Sequence, residues 1–180
     1  MTRRRQAARG RARIDPLVRV LGLDPGSVHT GWGVVDFAGS QLVPRGWGRI
    51  SPQAGAALGE RLRWIASEVR RRLDEFEPEV VAIERVFFGK SARSLIVLAE
   101  ARGAILAVIA ERGTPIAEVA PAMVKSVVTG DGRADKQRLG RMVCLQLGLT
   151  ETALPVDASD ALAVAIAGRQ VYSATRFARP

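Results

Sequence analysis

The chain has 180 residues, 47% of them hydrophobic and 25% charged, and a formal net charge of +9. That is enough apolar chain for one domain with its own core, and it excludes collagen-like repeats and disorder throughout. The longest stretch without a charge, the 11 residues from Pro25 to Val35, is broken by Pro and Gly and falls well short of the about 20 apolar residues of a membrane helix.

Cys144 is the only cysteine, so neither an intrachain disulfide nor a thiolate zinc site can form. With no secretory apolar core near the N-terminus, the expected compartment is the cytoplasm, with no membrane partner. Arg3, Arg4, Arg5, Arg9, Arg11 and Arg13 precede the first acid, Asp15, so most of the net charge sits in the first 13 residues. Residues 1–17 read as a basic disordered arm. Three roles fit it: a DNA-binding arm, a targeting peptide, or an extension from a misassigned start codon. The charge balance favours a polyanionic partner without requiring one.

Downstream, Val18 to Leu23 is an apolar run stopped by Asp24-Pro25-Gly26, the pattern of a buried strand and turn. Gly31 to Phe37 and Gln41 to Ile50 follow after short connections, which predicts an antiparallel meander. Leu58, Leu62, Ile65, Val69, Leu73 and Phe76 recur at helical spacing, with Arg70-Arg71-Arg72 mostly on the wet side and Pro78 ending the helix. Glu79 to Val86 is a fourth strand, apolar enough to be covered on both faces. A long helix over Ser91 to Glu111, a fifth strand over Ile116 to Ala120, and helices over Pro121 to Val128, Asp135 to Leu147 and Ala158 to Val171 complete the pattern. Residues 173–180 read as a flexible tail. The order predicts an α/β domain over 18–172, a five-stranded mixed sheet with helices on both faces. Trp32, Trp47 and Trp64 read as packing residues, Cys144 as an inert core thiol, and His29 as a surface turn residue.

Four acids occupy unusual places. Asp24 closes the first apolar run and Glu84 the fourth. Asp157 and Asp160 share a face at a helix start. If the first and fourth strands are parallel neighbours, Asp24 and Glu84 meet at their carboxyl ends, where open α/β sheets carry functional groups. Each acid also has a plain reading: a turn for Asp24, a helix cap or dipole partner for Asp157 or Asp160. A Glu after four apolar residues needs a partner wherever it is buried. Together, four carboxylates repel one another and two divalent cations would cancel their charge; oxygen ligands of this kind suit Mg²⁺ or Mn²⁺. Two such ions suit phosphodiester hydrolysis.

With these motifs in place, the sequence resembles the RuvC family of Holliday-junction resolvases, within the RNase H-like superfamily, from about Val18 to Val171. The resemblance rests on Leu21-Gly22-Leu23-Asp24-Pro25-Gly26 with Gly31, on Ala82-Ile83-Glu84-Arg85-Val86-Phe87, on Ala101-Arg102-Gly103, on Val124-Lys125 through Gly130-Asp131-Gly132 to Lys136, and on Asp157-Ala158-Ser159-Asp160-Ala161-Leu162-Ala163. It implies an RNase H-like sheet of three antiparallel and then two parallel strands. It also implies a homodimer that nicks four-way DNA junctions symmetrically and cooperates with the RuvA–RuvB branch-migration complex. The implied metal ligands are Asp24, Glu84, Asp157 and Asp160, with His at the Asp157 position in some relatives. Lys125 and Lys136 match lysines near the DNA backbone and active site, and Phe87 an aromatic near the junction centre. Arg85, Lys90, Arg93 and Arg102 are candidate phosphate contacts. Ser91, Arg93 and Glu100 depart from the family's usual Asn, Asp and Gln. The dimer is expected to form through a face of the Ser91–Glu111 helix. A nuclease trimming precursor ribosomal RNA and a non-catalytic junction binder are the alternatives. An actin-like ATPase would need a duplicated domain.

Overall fold

The computed structural model describes residues 17–26, 28–86, 91–151 and 154–177. All of the proposed arm except Leu17, and the candidates Phe87 and Lys90, lie outside that set. Strands β1 (Val18–Asp24), β2 (Thr30–Ala38) and β3 (Gln41–Ile50) form the expected meander. Helix α1 (Leu58–Phe76) ends where Glu77 turns left-handed before Pro78. Then come β4 (Val80–Glu84), α2 (Ala92–Arg112), β5 (Ile116–Val119), α3 (Pro121–Thr129), α4 (Lys136–Leu147) and α5 (Val156–Phe177). The sheet order is β3-β2-β1-β4-β5; β1 and β4 are parallel, as are β4 and β5. This is the mixed sheet of the RNase H-like fold that the element order predicts.

Alternation along the strands divides the core in two. Leu21, Leu23, Trp32, Val34, Val81 and Ile83 face α1 and α2. Val20, Val35, Val80, Ala82 and Val119 face α3, α4 and α5. Each fully buried aliphatic side chain here contributes about 1.5–3 kcal/mol. Helix α5 lies unusually close to the sheet, because a Cβ at Gly22 would overlap the Ala161 carbonyl and one at Gly31 the Asp157 carbonyl. That close approach sets the start of α5 over the end of β1.

Three expectations need correction. Residues 173–177 continue α5 instead of forming a flexible tail. The Ser173 hydroxyl donates to the Arg169 carbonyl and the Thr175 hydroxyl to those of Val171 and Tyr172, while Val171 and Tyr172 pack against the core. Trp64 is 45% exposed on α1, so it is not a packing residue like Trp32. Arg72 leaves the wet side: it is buried, with its guanidinium 4.4 Å over the Trp32 ring and Glu68 alongside. Cys144 is buried as expected, and burial pushes its thiol up. Among the described residues, no helix is long and apolar enough to cross a membrane.

Candidate active site

Register puts one row of residues across the α5 face of the sheet. Asp24 pairs with Gly31, and Gly31 with Arg49 on β3. Leu23 pairs with Ile83 in the parallel direction, so Asp24 and Glu84 stand side by side one step further on. The glycine in this row admits the first turn of α5, which brings Asp157 and Asp160 over it. All four acids line one cleft of about 790 Å³, with Lys125, Lys136 and Arg93 in its wall. His29 is exposed at the rim, its Nδ1 3.1 Å from the Ser51 hydroxyl.

The electrostatics show an excess of negative charge at the centre. The Asp24 carboxyl is pushed up to about 7, first by burial and then by the neighbouring charges of Glu84, Asp160 and Asp157, against the pull of Lys136. Glu84 is also raised, by burial and by Asp160, although a hydrogen bond with Asp24 and the charges of Lys136 and Lys125 oppose this. Lys136 donates to Asp160 Oδ2 at 3.0 Å, a contact that raises its own ammonium. Arg49 NH1 lies 3.6 Å from Asp157 Oδ2. The donor set is entirely oxygen and under-neutralised, which fits a hard divalent cation. Among the described residues, no group of three or more acidic, His or Cys side chains is already gathered to hold an ion.

The flanking residues have partners within the protein. Arg102, a candidate phosphate contact, has a side chain only 17% exposed: it donates to the Glu84 carbonyl at 3.3 Å and to Glu118 at 2.6 Å. It braces the strand end that carries Glu84. Arg85 points to the same Glu118, at 3.8 Å, from an exposed position. Ser91, one of the departures, caps α2 by accepting from the Ser94 amide. Arg61 in the cleft wall and Arg49 against Asp157 were not singled out from the sequence.

An α/β sheet of this order with acids at the ends of β1 and β4 and on α5 defines a nuclease of the RNase H-like class. The model of the crossover junction endodeoxyribonuclease RuvC family matches residues 20–168. The chain is 45% identical over 150 residues to RuvC of Streptomyces avermitilis, covering 83% of this chain and 85% of the relative. It is 41% identical over 146 residues to RuvC of Chlorobaculum parvum, covering 81% and 78%. Among solved structures it resembles Thermus thermophilus RuvC in complex with a Holliday junction substrate, with a TM-score of 0.81 and 32% identity over 91% of this chain and 99% of that one. The chain belongs to the RuvC family of crossover junction endodeoxyribonucleases, which are divalent-metal nucleases.

Proposed function

We propose that this protein binds four-way DNA junctions as a homodimer and resolves them by paired symmetric nicks, with Asp24, Glu84, Asp157 and Asp160 holding two Mg²⁺ or Mn²⁺ ions per subunit. The observation that carries this reading is the convergence of four acids on one cleft with Asp24 pushed up to about 7 by burial and by the other three. When bound, divalent cations supply charge neutralisation at the scissile phosphate and a water nucleophile at neutral pH. Lys136, on Asp160 in the free protein, is placed to move its ammonium toward a phosphate oxygen. Lys125 is in the cleft wall, where it adds positive potential for the incoming backbone. Arg102 keeps Glu84 in place through its carbonyl. Arg93 at the start of α2 serves as a phosphate contact.

The N-terminal half of α2 supplies the dimer face. Ile96 is 59% exposed and Leu95 beside it is only half-buried, an apolar surface that a second copy would cover. Work in recombination and repair, in the cytoplasm and beside the RuvA–RuvB complex, belongs to the same reading.

The test is cleavage of a synthetic mobile four-way junction beside linear duplex and single-stranded RNA of the same sequence, in Mg²⁺, Mn²⁺ and EDTA. Symmetric nicks on the junction alone, lost in EDTA, are the expected result. Cutting of RNA alone, or binding without cutting in either metal, would overturn it.

A further inference from the structure

We propose that Arg49 acts as a built-in counter-cation on Asp157, which a divalent ion must displace to engage that carboxylate. The inference rests on the metal-site reading above and adds a positioning residue to it.

Three observations converge on Arg49. Its place is fixed by the sheet, since it pairs with Gly31, which pairs with Asp24. Gly31 has no side chain between the two, so Arg49 reaches over it to Asp157, with NH1 3.6 Å from Oδ2. The pair is half-open to water, at 48% exposure for the arginine side chain and 34% for the aspartate. An exposed pair of this kind is weak enough to be exchanged. Finally, Asp157 and Asp160 are each held by a cation of the chain itself, Arg49 and Lys136. The α5 acids are therefore parked. An entering ion must take Asp157 from the Arg49 guanidinium.

The test is Mn²⁺ binding to the DNA-free protein, followed by electron paramagnetic resonance and by calorimetry. Arg49→Gln and Arg49→Met should bind Mn²⁺ roughly two- to fivefold more tightly than the wild type, the range expected for removing an exposed competing charge. Arg49→Lys, which keeps the charge, should stay closer to the wild type. Arg70→Gln removes an equal charge from an exposed pair with Glu111 and should change nothing. In an Asp157→Asn background, Arg49→Gln should bring no further gain. Unchanged or weaker Mn²⁺ binding in both neutral variants would overturn the proposal, and so would an undiminished gain in the Asp157→Asn background. A wild type that binds no Mn²⁺ at all would overturn the metal-site reading with it; a wild type that binds while Arg49→Gln makes no difference would sink this inference alone.

Discussion

The two ends of β1 and β2 each hold an aspartate, and they treat it in opposite ways. At one end Asp36, its side chain 1% exposed, receives Arg19 Nε at 2.7 Å and Arg45 Nε at 2.6 Å. The hydrogen bond from Arg19 is the main reason its carboxyl lies below the usual range. Arg19 also donates to the Phe76 carbonyl, tying the end of α1 to the sheet. At the other end Asp24 is surrounded by three more acids and is pushed up to about 7. One carboxylate is satisfied by its own protein and serves stability. The other lies among three more acids, and the proposed metal reading rests on that difference. A buried charge with a complete set of partners has nothing left to offer a ligand.

The largest effect expected from breaking this contrast is on catalysis. Asp24→Asn should lower junction cutting by about a thousandfold or more while leaving junction affinity nearly intact, since chemistry and phosphate contact are carried by different groups. Parallel cleavage and gel-shift titrations check this. Full-rate cutting by the variant would remove Asp24 from the site.

At the opposite end the consequence should be stability. Asp36→Ala strands two arginines, Arg19 being 30% exposed and Arg45 47%, so part of the loss is recovered by solvation. A loss of about 3 kcal/mol is expected, toward the lower end for breaking a buried pair. For a chain of this size that lowers Tm by roughly 6–12 °C. Cutting measured well below the transition should change little. A variant that melts normally but cannot cut would reverse the roles assigned to the two ends.

The same contrast predicts opposite pH responses in metal-free protein. Asp24 has a folded pKa of about 7, above its unfolded value near 4. Its contribution is therefore fully present below about pH 4 and is lost as pH rises through 7. Asp36 has its folded pKa lowered, so its contribution is present above about pH 4 and is lost as pH falls further. In EDTA, Asp24→Asn should be more stable than the wild type at pH 8, by roughly 1–3 kcal/mol, and similar to it near pH 4. Urea melts at the two pH values decide this. An equal gap at both would mean that the carboxyl's charge is not what strains this end.

Much of this was legible before the fold. The apolar runs ending in Asp24 and Glu84, and the i, i+3 spacing of Asp157 and Asp160, depend only on local pattern, and the structure lines one cleft with all four. Arg49 was not legible, for a specific reason. Counting back from the Ala38–Gln41 pair places Gly48, not Arg49, opposite Gly31. A bulge between Val34 and Val35 shifts the register by one residue, so Arg49 faces Asp157. Nothing in the alternation of β3 announces that shift. The bracing partners of Arg102, Glu118 and the Glu84 carbonyl, were not legible either, because they come from β4 and β5 and meet the helix only in the fold. The helical continuation through Ser173 and Thr175 follows Val171 and Tyr172 packing against the core, a tertiary contact that the polar composition of 173–175 does not announce.

The smallest expected effect concerns the bulge. Arg45 is the residue of β3 left without a partner between Pro44 and Gly46, and it turns its guanidinium onto Asp36. The irregularity that brings Arg49 to the Asp24 end therefore also supplies one of the two arginines at the Asp36 end. If the register is held by backbone pairing and by the packing of Trp32 against Gly46 and Gly48, Arg45→Gln should lose only the half-exposed ion pair, about 0.5–1 kcal/mol. Arg19 then still neutralises Asp36, and Mn²⁺ binding should match the wild type. A melt combined with an Mn²⁺ titration separates the two cases. A changed metal affinity would mean that the Arg45–Asp36 contact itself pins the register, so that the two ends are coupled through one extra residue.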